Sequence, residues 1–131
     1  MKQMVAKNGM YEFHVDVSKN RIYFTPVGDW DSPSDVPNYI SDITKCTNMM
    51  KAGYSVLSDI THLGVPSPEV NKLHSDAQEM MRQAGQRKAA IVNRSLTLEI
   101  HLDKVYEKVG KDEFKMMTFS SIEDAEKWLD M

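Results

Sequence analysis

Residues 54–92 have the sequence YSVLSDITHLGVPSPEVNKLHSDAQEMMRQAGQRKAAIV, and the pattern within them decides the fold class. Apolar residues concentrated in 54–60 and 88–92 predict two buried strands. Between them, Ser67-Pro68-Glu69 predicts the start of a helix, because it combines a capping hydroxyl, a first-turn proline and an acid. Strand, helix and strand in this order predict a parallel βαβ unit.

The helix of this unit has apolar residues at helical spacing, and a glycine follows it. The stripe consists of Val70, Leu73, Ala77, Met80, Met81 and Ala84. Gly85 comes directly afterwards, and similar glycines stand at Gly53 and Gly110. A glycine in the left-handed conformation closes a helix without a clash of its Cβ atom. The three glycines therefore predict the ends of three helices.

Upstream of this unit, the sequence predicts a β-hairpin and a first helix. Residues 11–17 alternate apolar and polar side chains, whereas 21–27 are rich in β-branched and aromatic residues. The short polar turn between them favours antiparallel pairing. The next apolar residues have helical spacing and predict a helix that ends before Gly53: Val36, Tyr39, Ile40, Ile43, Cys46 and Met50. Residues 1–10 are expected to form a loosely tethered N-terminal tail.

Downstream of the unit, the pattern adds a helix, a strand and a last helix. The third helical stripe lies in 98–109, and a strand is predicted at 114–119. Ser120-Ser121-Ile122-Glu123 fits a capping box at the start of the last helix. The predicted order is β-β-α-β-α-β-α-β-α, which makes an α/β fold with a mixed sheet in a single domain, 11–131.

Four pieces of the chain occur in the order found in a known fold. They are GDWD at 28–31, the strand end Asp59-Ile60-Thr61, the helix start at Ser67, and FSSIEDA at 119–125. Over residues 21–129 the chain therefore resembles the STAS-like fold of anti-sigma-factor antagonists, and more closely its SpoIIAA-like branch of small domains. The resemblance implies a mixed sheet with helices packed on it and a regulatory module that binds a protein partner.

The resemblance also implies a role for the start of the second helix. In the signalling members, a serine at this position is phosphorylated within an Asp-Ser-Ser/Thr-Gly context. Ser67 occupies about this place and is the candidate phosphoacceptor, with Asp59 and Thr61 beside it on the expected docking surface. The chain departs from the family pattern here, because Pro66 and Pro68 replace the acid and the glycine.

Ten methionines in 131 residues are the most unusual feature of the composition. Methionine is unbranched and flexible, so one interpretation is that it fills irregular gaps in the core. The alternative is a deformable pocket, since the SpoIIAA-like branch also resembles lipid-carrying domains, and the chain would then carry or sense an apolar small molecule. The residues of this candidate pocket are Trp30, Met50, Met80, Met81 and Tyr106. Trp30, in a turn between two acids, is either a lid over the core or a ligand contact.

The composition excludes several other classes of function. A net charge of -3 and a pI near 5.8 provide no basic field for nucleic acid. Charges interrupt every hydrophobic stretch, so no transmembrane segment is expected. The single cysteine, Cys46, predicts a reducing compartment, the cytoplasm, and its place on an apolar stripe predicts packing. The edge strands of an open sheet predict a homodimer.

The sequence lacks the usual catalytic motifs. Its six glycines are too far apart for a phosphate-binding loop, and neither HExxH nor Gly-x-Ser-x-Gly occurs. We therefore expect no enzymatic activity and no cofactor. His62, His74, Asp59 and Glu69 are close in sequence, but their spacing matches no known set of metal ligands, so no metal is expected either.

Overall fold

The computed structural model describes residues 1–93 and 114–131, which form six strands, three α-helices and one short 3₁₀ helix, Pro33–Asp35. The strands are β1 (Gln3–Lys7), β2 (Tyr11–Asp16), β3 (Arg21–Pro26), β4 (Ser55–Asp59), β5 (Lys88–Val92) and β6 (Lys115–Phe119). The helices are α1 (Tyr39–Thr47), α2 (Pro68–Gln83) and α3 (Ile122–Leu129). The predicted helical stripe at 98–109 and Gly110 lie outside the described residues.

The strands form one mixed sheet in the order β1-β2-β3-β4-β5-β6. The first two pairs are antiparallel, and the pairs from β3 to β6 are parallel. Val56 in β4 lies between Ile22 in β3 and Ala89 in β5. The predicted hairpin and the parallel βαβ unit are thus confirmed, and the predicted strand at 88–92 has the observed bounds.

The first strand differs from the sequence-based expectation of a tail at 1–10. Gln3–Lys7 pairs with β2 and adds a strand to the sheet. The register shifts between Met4 and Ala6, where the pairing has a β-bulge or irregularity. Such a shift interrupts the alternation of inward and outward side chains, so the period-two signal of a strand is lost in so short a segment.

The first helix begins later than its apolar stripe suggests. Val36 is buried but has a non-helical backbone, with φ of -133° and ψ of 61°, and α1 starts at Tyr39. The physical reason is Pro37, because a proline disfavours the helical conformation of the residue before it. The segment before Val36 forms the 3₁₀ helix, which Ser32 and Asp35 close with a reciprocal capping box.

The core on one face of the sheet is mainly aromatic. Phe13 in β2 and Phe24 in β3 are stacked with ring centroids 4.7 Å apart. Helices α1 and α2 cover this face with Tyr39, Cys46 and Ala77, among others. Cys46 is fully buried, and burial raises the pKa of its thiol to about 12. The predicted packing of Cys46 is therefore confirmed.

The opposite face is covered by α3, which a buried guanidinium fixes to the sheet. Arg21 donates to Ser55 Oγ at 2.9 Å, to Glu126 Oε1 at 2.7 Å and to Asp130 Oδ1 at 2.8 Å. The charge of Arg21 is buried, but its ion pairs with Glu126 and Asp130 offset the cost of desolvation. The helix begins with Ser121, whose Oγ accepts from the backbone N–H of Asp124, so the capping hydroxyl is not that of Ser120 as the predicted box required.

The glycines that follow α1 and α2 give the first testable prediction. Gly53 and Gly85 have φ of +92° and +108°. A Cβ atom on Gly53 would meet nothing within 4 Å, whereas one on Gly85 would lie 2.9 Å from the Cα atom of Ala52. We expect Gly53→Ala to lower the free energy of unfolding by about 1 kcal/mol through backbone strain. Gly85→Ala should cost at least about 1 kcal/mol more, because it also displaces backbone.

Urea denaturation of the two variants measures the difference. Both substitutions add the same methyl group at a positive φ, so each controls for the other. Equal losses of stability would contradict the close approach of Gly85 to Ala52.

Candidate functional site

The candidate site lies where the parallel strands end. The loops that follow β3 and β4 leave the sheet at the same edge, and backbone hydrogen bonds join them. Gly28 N donates to His62 O at 3.0 Å, and Gly64 N donates to Gly28 O at 2.9 Å. Gly28 and Leu63 consequently form an isolated parallel bridge beyond the strands. We call this region, residues 27–38 and 59–69, the docking edge.

Gly64 packs closely against the loop that follows β3. A Cβ atom on Gly64 would overlap the carboxylate of Asp29, which lies against it. Gly28 has φ of +78°, a conformation that other residues rarely adopt. The sequence analysis did not identify Gly64, because its role depends on Asp29, which is 35 residues earlier in the chain.

Two of the predicted docking residues contact each other directly. Asp59 Oδ1 accepts from the backbone N–H of Thr61 at 3.1 Å and from Thr61 Oγ1 at 2.7 Å. This is a turn of the Asx type, in which the aspartate side chain fixes the backbone after the strand. Asp59 and Thr61 therefore form one rigid corner at the end of β4.

The third predicted residue, Ser67, caps α2 as the sequence indicates. Its backbone is extended, and its Oγ accepts from the N–H of Val70 at 3.2 Å. Ser67 lies at the end of the β4–α2 loop, and its hydroxyl contacts the helix, whereas the hydroxyl of Thr61 donates to the carboxylate of Asp59. The side chain is half-buried.

The docking edge is acidic. Residues 27–38 and 59–69 contain five carboxylates and neither lysine nor arginine: Asp29, Asp31, Asp35, Asp59 and Glu69. All but Asp59 are exposed. Val65, in the second of these segments, has 53% of its surface exposed. The edge thus carries one exposed large apolar side chain and four exposed carboxylates.

Beneath the edge, Trp30 is completely buried. Its indole N–H donates to Val27 O at 3.1 Å and to Met10 O at 3.3 Å. The ring stacks on His74 with centroids 5.1 Å apart and meets the edge of Tyr39 at the same distance. Of the two interpretations of Trp30, the structure supports its place in the core.

His74 is also part of this buried cluster. Its Nδ1 lies 3.1 Å from the hydroxyl of Tyr39, whereas Nε2 is buried without a hydrogen-bond partner. Burial lowers the pKa of His74 to about 4. Within residues 1–93 and 114–131, no three His, Cys, Asp or Glu side chains are arranged to hold a metal ion.

The methionines of the candidate apolar pocket pack in or against the core. Met81 is buried with 4% of its surface exposed, and Met50 and Met80 are partly buried against the same aromatic cluster. Trp30 belongs to that cluster, and Tyr106 lies outside the described residues. The described arrangement favours gap-filling by methionine over a cavity.

Comparisons with known proteins show the fold. No family model and no curated protein match the chain. Two solved structures are similar. An uncharacterized protein of the DUF3478 family with a SpoIIAA-like fold, from Shewanella loihica, is 14% identical with a TM-score of 0.61, covering 98% of this chain and 92% of that one. SiaC of Pseudomonas aeruginosa is 9% identical with a TM-score of 0.57, covering 91% and 99%.

The predicted STAS-like, SpoIIAA-like fold is thereby confirmed. Among the described residues, none of the helices has the length and apolar character needed to span a bilayer.

The cap at Ser67 gives the second testable prediction. Ser67→Ala removes the acceptor for Val70 N–H, so we expect the free energy of unfolding to fall by about 1 kcal/mol. Ser67→Asp should retain the stability, because a carboxylate also caps and interacts favourably with the positive end of the helix. Thermal melting of both variants checks this. An unchanged melting temperature for Ser67→Ala would contradict the cap.

His74 gives a third prediction, on pH dependence. Its pKa is about 4 in the folded state and about 6.5 in an unfolded chain, so the unfolded state binds the proton first as the pH falls. The stabilisation that comes from keeping His74 neutral is therefore fully present above pH 6.5. The free energy of unfolding decreases by up to about 3 kcal/mol as the pH falls towards 4. Proton NMR of the native protein should show a His74 ring that remains neutral at pH 5.

Urea denaturation between pH 7 and pH 4 measures the loss. His74→Phe should remove this part of the pH dependence, whereas His62→Gln, at an exposed histidine, should retain it. A His74 ring that titrates near pH 6.5 would show that the buried cluster is not closed.

Proposed function

We propose that the chain is a non-catalytic regulatory module that binds a protein partner through the docking edge. The observation that carries the proposal is that these two loop segments expose Val65 and four carboxylates and contain neither lysine nor arginine. Exposed apolar area combined with charge of one sign suits a surface that binds a protein of opposite charge. The resemblance to the STAS-like fold supports the same edge.

The chemistry of the partner follows from the charge of the edge. Four exposed carboxylates attract a basic surface and accelerate its association. Val65 then contributes apolar area, which the partner buries in a shallow pocket. The partner is accordingly a protein with lysine or arginine around an apolar depression.

The arrangement of the hydroxyls and carboxylates supports binding over catalysis. The hydroxyl of Ser67 accepts from a backbone N–H, and the carboxylate of Asp59 accepts from Thr61. An activated serine instead donates to a general base within hydrogen-bond reach. None of the hydrogen bonds described for Ser67 or Asp59 involves an imidazole.

Ser67 is the regulatory position in this proposal. A phosphate on Ser67 would meet the positive end of the 16-residue helix α2, where anions are favoured. It would also add about two negative charges to an edge that is already acidic. Phosphorylation therefore changes the affinity for the partner with little effect on the fold.

A matched pair of double variants tests the docking edge. Val65→Lys with Glu69→Lys adds three positive charges at the edge, and Val17→Lys with Glu79→Lys adds the same number elsewhere. Val65 and Val17 are 53% and 55% exposed, and both glutamates are exposed. Affinity capture followed by quantitative mass spectrometry identifies the partner. We expect the edge variant to lose it and the control to retain it.

The affinity of the purified partner is then measured by calorimetry. The edge variant should bind at least about tenfold more weakly than the control variant, which corresponds to about 1.4 kcal/mol. Equal affinities of the two double variants would refute the docking edge. If Ser67→Asp binds like the wild type, regulation through Ser67 is refuted while the docking edge remains.

A further inference from the structure

A cleft lies at the opposite edge of the sheet, where the parallel strands begin. It has a volume of about 420 Å³ and is lined by Ala52, Gly53, Arg82, Gly85, Gln86 and Arg87. A second cleft of about 350 Å³ shares Gly53 and Arg87 with the first and extends over the starts of β3 and β5. We call the first one the basic cleft. Its volume is in the range of small-molecule sites.

The two arginines of the basic cleft form no ion pair within residues 1–93 and 114–131. Two other cations of the second cleft differ in this respect. Arg21 is paired with Glu126 and Asp130, and Lys19 also contacts Glu126. The chain as a whole carries a net charge of -3, so two arginines that line one cleft and have no ion pair in the described part of the chain stand out from its charge distribution.

Gln86 provides the second observation. Only 4% of its surface is exposed, yet neither Oε1 nor Nε2 of its side chain has a hydrogen-bond partner among the described residues. Nε of Arg82 is likewise buried without a partner. Buried amide and guanidinium groups are normally satisfied, because leaving them unpaired costs stability. Two residues that line the cleft therefore carry donors, and one acceptor, without partners in the described part of the chain.

The end of α2 lies at this cleft, and most of its terminal carbonyls are hydrogen-bonded. A helix C-terminus usually exposes carbonyl oxygens with a partial negative charge. Here three of the last four carbonyls, those of Met80, Met81 and Arg82, each accept from a backbone N–H of residues 84–86. These three carbonyls are thus occupied, and the two arginines are the charged side chains among the described lining residues.

We propose that the basic cleft binds a small phosphomonoester that carries a hydroxyl group. Arg82 and Arg87 pair with the phosphate oxygens, since guanidinium groups match them in geometry and charge. Nε2 of Gln86 donates to the same group, and its Oε1 accepts from the neighbouring hydroxyl. The site is independent of the docking edge, which lies at the other end of the strands.

Titrations followed by ¹⁵N–¹H NMR test the proposal, with the side-chain signals of Gln86 and Arg82 as reporters. The probes are glycerol 3-phosphate, inorganic phosphate, citrate and chloride at equal ionic strength. We expect saturable shifts with both phosphates, tighter binding of glycerol 3-phosphate, and no saturation with chloride. Saturation by citrate alone would show that the site takes carboxylates and would overturn the assignment to phosphate.

Three variants distinguish a built site from general charge attraction. Arg87→Gln changes an exposed side chain and should weaken phosphate binding by about tenfold. Lys72→Gln removes one positive charge from an exposed position of α2 and should leave the affinity unchanged. Gln86→Leu should raise the melting temperature, because it removes unpaired buried atoms, and should weaken binding at the same time.

Two results would overturn the proposal. One is equal weakening by Lys72→Gln and Arg87→Gln, which would show an adventitious ion only. The other is unaltered binding in Gln86→Leu, which would show that the buried amide has a structural role alone.

Discussion

The complete burial of Trp30 is the constraint on which the candidate site depends. The residue stands in the turn that leaves β3, yet its ring contacts Tyr11 of β2, Tyr39 of α1 and His74 of α2. Its N–H is satisfied by backbone carbonyls, so the indole is held in one orientation. Because the loop 27–31 is fixed from below, Gly28 can pair with the β4–α2 loop. The docking edge is therefore a rigid surface built on an aromatic core.

The two edges of the parallel strands carry opposite charges. Four exposed carboxylates and Val65 lie in the loops where the strands end, whereas two arginines without ion pairs among the described residues line the cleft where the strands begin. A net charge of -3 for the chain does not reveal this separation. It follows from the topology, since parallel strands collect the loops after them at one edge and the loops before them at the other. One small sheet can thus hold two independent binding surfaces.

Local patterns predicted much of this structure, and contacts distant in sequence account for what they missed. The cap at Ser67 and the strand Lys88–Val92 depend on neighbouring residues, so the sequence identifies them. The strand β1 was missed because a register shift interrupts its alternation. The same limit applies to the site. The contact of Asp59 with Thr61 is local, but the approach of Gly64 to Asp29 and the unpaired amide of Gln86 follow only from the assembled fold.

Hydrogen–deuterium exchange of the chain, alone and saturated with its captured partner, tests the central claim most directly. Exchange reports the protection of backbone amides along the whole chain, so it does not depend on a choice of variants. The account predicts slower exchange in peptides that cover 28–38 and 60–69 and unchanged exchange in those that cover 82–88. Protection confined to 82–88, or to segments away from the docking edge, would contradict it.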